Sequence, residues 1–183
     1  PQNFKNFLLA AWEILEVVFV ATVTVFLIRT FLVQPFVVSG ASMEPNYSDG
    51  NYLIIDEISY QFRDPERGEV IVFRYPLDPE KFFIKRIVGL PGEEVISQGG
   101  KIKIVENGVE MPIQEDYLSP GSSSGESFRV RLGSDQYFVL GDNRSHSFDS
   151  KNWGAVNRDE IVGLARVRIF PLKEFNLFKA PAY

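Results

Sequence analysis

Ser42 stands in VVSGASMEPNY, where an apolar extended run opens into small residues and is stopped at once by Pro45. Small residues let another backbone come close and leave a serine hydroxyl pointing into the space that results. An isolated stretch of this kind is also an ordinary turn leaving a strand. The second residue of chemical interest is Lys85, in KFFIKRIVGLPGE. Strand alternation sets Lys85 on the face of Phe83 and Ile87, and Ile84 and Arg86 on the other, so one of two cations faces an apolar environment. An edge-strand lysine snorkelling to water would satisfy the pattern without doing chemistry. A buried one would be a base. An ammonium of ordinary pKa is only about 0.04% neutral at pH 7, and burial that lowers the pKa by ~3 units frees a substantial fraction of amine. A neutral lysine beside a serine hydroxyl takes its proton as the oxygen attacks a carbonyl, and no histidine is then required. The serine's own N–H, bared by the small residues before it, can donate to the developing oxyanion.

Composition narrows the alternatives. The 183 residues include no cysteine, which excludes thiol catalysis, disulfides and cysteine-ligated metal. The single histidine, His146, excludes any site needing two imidazoles. No metal or other cofactor is expected. A formal charge of -5, with the 19 basic residues in no cluster, argues against nucleic acid as a partner. Absence of cysteine fits an exported, oxidising compartment. At 45% hydrophobic residues the chain is globular, long enough for one sizeable core and an appendage.

The elements that must carry these residues fall into two parts. Residues 7–28 read FLLAAWEILEVVFVATVTVFLI, interrupted only by Glu13 and Glu16, and match the roughly 20 residues a membrane span needs. An amphipathic helix on a soluble core and a cleavable signal peptide compete with that reading; the second is disfavoured because the apolar character continues through TFLVQPFVV with no processing site. Lys5 and Arg29 lie on opposite sides, so charge does not orient the segment. We expect an anchor over 1–34 and a β-rich domain over 35–183. In the latter, NYLIID, EVIVFRY, FFIKRIVGL, KIKIV, FRVRL, QYFVLGD and IVGLARVRIF read as strands, and Asn107-Gly108 as a hairpin turn. SPGSSSGES, 119–127, reads as a surface loop. The expected fold class is mainly β: one N-terminal transmembrane helix followed by an antiparallel β-sheet domain.

Ser42 in GASMEPN, the RGEVIVFRYP run, Lys85 in KRIVGLPGE, and GDNRSHSFDSKNWG together resemble the sequence boxes of bacterial type I signal peptidases, in that family's order and after an apolar anchor. The likeness covers about Trp12 to Phe170. It implies a Ser-Lys endopeptidase of the cytoplasmic membrane, single-pass, with its catalytic domain on the extracytoplasmic side. Its partners would be the lipid bilayer and the signal peptides of exported preproteins, cut after small residues in an A-x-A pattern. By the resemblance Ser42 is the nucleophile, Lys85 the general base, and Ser147 the serine that hydrogen-bonds and orients the lysine. Asp142, Asn143 and Arg144 match the G-D-N-R signature, and Asp149 an acidic residue that holds the site together, by pairing with Arg86. The resemblance places Val38 and Ile84 beside the substrate pockets.

The sequence also departs from the family. Asn46 stands where Thr is frequent, Ser145 and His146 replace an Asp or Asn pair, and Lys151 replaces an Arg. Gly40 stands where some members place a hydroxyl, leaving more of the oxyanion to the backbone N–H of Ser42. His146 is expected to be a polar loop residue. Two other readings are a self-cleaving Ser-Lys repressor-like peptidase, which would carry a soluble DNA-binding domain in place of the apolar segment, and a membrane-tethered, non-catalytic β module. A binding module needs neither the buried amine nor the second hydroxyl.

Overall fold

A computed structural model describes residues 2–31, 34–106, 108–120, 122 and 125–180. The chain divides into two compact units, 1–34 and 35–183. The first is a helix, α1, Gln2–Phe31. Val17, Val18, Phe19 and Val20 are each more than half exposed, and four consecutive residues at about 100° per step go nearly round the cylinder. No single apolar stripe marks α1 as a helix lying on a soluble core.

Among the described residues, no helix is long and apolar enough to cross a membrane. The expected span over 7–28 is not shown by the described residues. Exposed Glu13 and Glu16 interrupt the apolar stretch, and the side chains of 26–28, with which it closes, lie outside those described.

The second unit is mainly antiparallel β. Its strands are β1 Gln34–Val37, β2 Tyr52–Asp56, β3 Val70–Tyr75, β4 Asp78–Gly89, β5 Glu94–Gln98, β6 Lys101–Glu106, β7 Val109–Pro112, β8 Phe128–Arg131, β9 Gln136–Leu140, β10 Val156–Asn157, β11 Ile161–Phe170 and β12 Asn176–Leu177. One-turn helices α2, Ser59–Phe62, and α3, Ser150–Trp153, punctuate them. Among the described residues the larger sheet runs β1-β2-β11-β3-β4-β9-β10, with β12 on β11, and the smaller β7-β6-β5-β8. Asn107, the first half of the expected hairpin turn, and residues 121, 123 and 124 of the expected loop lie outside those described. Gly108 takes φ +82° between β6 and β7. β5 was not among the strands read from the sequence: EVISQ is short and half polar, and its pairing with β6 and β8 places it.

β3 explains why the larger sheet is rigid where the site is built. VIVF is buried on both faces: Ile71 and Phe73 pack with Ile87, Tyr137 and Val139, while Val70 and Val72 pack with Met43, Tyr47, Leu53 and Ile55. Each such buried side chain contributes about 1.5–3 kcal/mol. The smaller sheet closes a third cluster, laying Val95, Ile102 and Ile104 against Val88, Phe138 and Leu140. Gly89 permits that contact, since a Cβ there would lie 2.4 Å from Val95.

Candidate active site

β4 pairs with β3 at Asp78 and over 82–86, Ile71 opposite Lys85 and Val70 opposite Arg86, and with β9 only from Arg86 onward. Lys85 is thus fixed in a central strand, 4% exposed. The serine comes from the turn after β1. Gly40 takes φ +88°, and its N–H donates to Asp49 Oδ1 at 2.7 Å. Glu44 N–H donates to the Ala41 carbonyl and Tyr47 N–H to that of Met43, while the fully buried Met43 and Tyr47 pin the turn to the core. Asn143 holds it from the other side, donating from Nδ2 to Ala41 O at 3.1 Å and from its backbone N–H to Ser42 O at 3.1 Å.

These constraints bring Lys85 Nζ to 2.7 Å from Ser42 Oγ, and Nζ also donates to the Ile84 carbonyl at 2.8 Å. Burial pushes the Lys85 ammonium down to about 8, against the opposing pull of the Asp149 and Asp142 carboxylates. The Phe83 ring, 5.6 Å from Nζ, adds to the apolar wall. Among the described residues nothing accepts a hydrogen bond from the Ser42 N–H. The pair opens on a cleft of about 340 Å³ whose lining includes Val38, Gly40, Ile84, Leu53, Val72 and Phe36. His146 is exposed on the same cleft, with Nδ1 2.9 Å from Ser145 Oγ. Phe36, Leu53, Val72, Phe82 and Phe148 also line it, and nothing in the local sequence marked them as such.

Two expected contacts are different in the structure. Arg86 pairs with Asp142, not Asp149: Nε donates to Oδ1 at 2.8 Å and Nη2 to Oδ2 at 2.6 Å, a bidentate fit, with Nη1 on the Gly68 carbonyl at 2.8 Å. Asp149 is instead engaged by residues of its own segment, 141–152. It caps α3, accepts from the Gly141 N–H at 3.1 Å, and lies 3.4 Å from Lys151 Nζ. The expected Ser147 to Lys85 hydrogen bond is also not made. The Ser147 hydroxyl is buried without a hydrogen-bond partner, since the amine is directed at Ser42 and the Ile84 carbonyl. Ser147 rests on Gly141, where a Cβ would lie 2.1 Å from Ser147 Oγ and 2.4 Å from Ser42 O. Only glycine lets the three come together.

Arg144 is 4% exposed; its Nε donates to Gly141 O at 3.1 Å and its Nη1 to Glu115 Oε2 at 3.0 Å. Asn46 donates to Asp142 Oδ2 at 2.8 Å and to the Tyr117 carbonyl at 2.9 Å. Sequence reasoning passed over Glu115 and Tyr117, since a lone Glu-Asp-Tyr in a connecting segment carries no motif. Among the described residues no cluster of three His, Cys, Asp or Glu is arranged to hold a metal ion.

The family model described as Signal peptidase, peptidase S26, matches residues 11–170. A protein of Synechocystis sp. named probable signal peptidase I-2 is 43% identical over 157 residues, covering 82% of this chain and 69% of its own length. Signal peptidase I of Leptolyngbya laminosa is 38% identical over 167 residues, with 85% and 78% covered. A crystal structure of a signal peptidase I from Enterococcus faecalis aligns with a TM-score of 0.47 at 30% identity, over 56% of this chain and 97% of that one.

Proposed function

The chain belongs to the signal peptidase family, peptidase S26, and is a serine endopeptidase of that family, and on this premise we propose that Ser42 and Lys85 form its catalytic dyad. The observation that carries the proposal is the 2.7 Å between Lys85 Nζ and Ser42 Oγ at the wall of a cleft. Neutral Lys85 removes the Ser42 proton as Oγ adds to the scissile carbonyl. The Ser42 N–H donates to the oxyanion. Collapse breaks the C–N bond, the new ammonium returns its proton to the leaving amine, and water, activated by the same amine, hydrolyses the acyl-enzyme. Ser147, buried beside Gly141 with its hydroxyl unpaired, orients the amine during this cycle. Arg86, Asp142, Asn143, Arg144 and Asp149 hold the dyad without joining the chemistry.

The substrates we propose are signal peptides of exported preproteins. Among the described residues β4 pairs over 82–84 with β3 alone, which suits an added substrate strand. Val38 and Ile84 narrow the cleft beside the dyad, leaving room for small side chains and favouring A-x-A before the cut. We read α1 as the anchor in the cytoplasmic membrane, single-pass, with residues 35–183 on the extracytoplasmic side. Its exposed apolar residues facing all ways support contact with lipid. Recovery of the full chain in the soluble fraction would count against the anchor.

The test is a panel of preprotein peptides varied at the residue before the cut, offered to the full chain in detergent, with products read by mass spectrometry. Replacing that alanine by Leu or Phe should reduce kcat/KM about 100-fold or more. Changing the residue between the two alanines should have little effect. Equal cleavage after Ala and Phe would refute the signal-peptide assignment while leaving the dyad standing.

A further inference from the structure

The two arginines of the site reach the same short segment. Arg86 follows the base Lys85 on β4, and its guanidinium lies 4.1 Å from the centre of the Tyr117 ring. Arg144 follows Asn143, which holds the Ala41 and Ser42 carbonyls, and it forms a bidentate pair with Glu115. Glu115 and Tyr117 are linked in turn, Tyr117 Oη donating to Glu115 Oε1 at 2.9 Å, with Arg144 Nη2 3.3 Å from the same hydroxyl. The Tyr117 carbonyl takes the Asn46 amide, whose other contact is Asp142, the partner of Arg86. One segment, 115–117, between β7 and β8 of the smaller sheet, therefore touches both the strand that carries the base and the turn that carries the serine.

We propose that Glu115 and Tyr117 are positioning residues of the peptidase, a clamp that sets the approach of Ser42 to Lys85 by fixing Arg144 and Arg86. Neither is among the described residues that line the cleft. Their action runs through buried groups of fixed geometry: Arg144 also holds the Gly141 carbonyl, and Gly141 is the point on which Ser42 and Ser147 converge. A guanidinium fork makes such a link directional, because it satisfies a carboxylate in one plane only. The smaller sheet is then part of the catalytic apparatus, its placement on Val88 and Phe138 transmitted to the dyad through two side chains.

The inference rests on the Ser42–Lys85 reading, and the experiment separates the two. Glu115→Gln keeps the shape of the side chain and removes its charge; Glu115→Met with Arg144→Met replaces the buried pair by apolar groups of similar length, a change that folds commonly tolerate. Both are made in the full chain in detergent, with Ser42→Ala alongside, and kcat, KM and the melting temperature are measured. In folded protein kcat should fall roughly tenfold or more with KM within about twofold, the signature of a misplaced dyad under an intact cleft. Wild-type kcat in either folded variant overturns the clamp, and so does a raised KM at unchanged kcat. Should neither fold, Tyr117→Phe, which deletes one hydroxyl, decides: turnover equal to wild type overturns the proposal. Inactive Ser42→Ala with a normal clamp variant counts against the clamp alone, whereas cleavage by Ser42→Ala counts against the dyad.

Discussion

The two faces of β4 bury two neighbouring cations in opposite ways. Lys85 is 4% exposed and Arg86 6%, so desolvation presses on both. Arg86 is given a bidentate carboxylate, a carbonyl and an aromatic ring, and although burial acts to lower its pKa, the hydrogen bond and charge of Asp142 raise it. Lys85 has a hydroxyl and a carbonyl but no carboxylate in contact, and burial pushes it down to about 8. Asp142 and Asp149 are near enough to be felt, yet their oxygens are engaged by Arg86, Asn46, Lys151 and backbone N–H groups. Among the described residues Lys85 has no counter-ion in contact, and that is what suits it to the proposed role of base. Supplying one to Arg86 keeps it a structural charge.

Exchanging the two chemistries should have the largest effect. Lys85→Arg puts a group that cannot lose its proton beside Ser42, and kcat/KM should fall by at least about 10⁴-fold in folded protein. Activity near wild type would end the mechanism. In the wild type the proposed dyad fixes the acid limb: a base must be neutral to act, so the rate should rise with pH through about 8. A limb near the ordinary lysine value would mean that Lys85 is solvated.

A smaller effect of the opposite sign is expected on stability. Below about pH 8 the folded chain bears the whole cost of the buried ammonium. Between about 8 and the ordinary 10.5 the folded protein has lost the proton and the unfolded chain retains it, so the cost is relieved as pH rises. Lys85→Met should accordingly be more stable than wild type by about 3 kcal/mol at pH 7, with the gap closing toward pH 10.5. Chemical denaturation at both pH values checks it, and a gap that widens with pH would reverse the argument. The smallest effect sharpens the comparison at Ser147, whose hydroxyl is proposed to orient the amine rather than to move the proton. Ser147→Ala should lower kcat about tenfold and leave measurable activity; unchanged turnover would remove Ser147 from the site.

Lys85 was legible because its contradiction is local: a cation at an alternating apolar position can be seen in a few residues. The strands around it were legible for the same reason. What the sequence concealed were partners chosen across long separations. Asp142 and Asp149 are both acidic, both near Gly141, and only the register of β4 on β9, Arg86 opposite Leu140, puts the first within reach of Arg86. Glu115 and Tyr117 lie on a segment without periodicity and become meaningful only once the smaller sheet is folded back. α1 shows the converse limit. Its helix was plain, but Glu13 and Glu16 divide the apolar run that a span would need, and a count of residues 7–28 does not weigh that division.

The half-paired strand has one further consequence. Among the described residues, 82–84 of β4 pair on one side only, with Phe82 42% exposed there, and such an edge will take a second copy of the protein as readily as a peptide. Its outer end carries Asp78, Glu80 and Lys81, with Lys81 Nζ 2.7 Å from Asp78 Oδ2. Charges there disfavour edge-to-edge pairing, while the inner end, at Ile84 and Lys85, opens on the cleft.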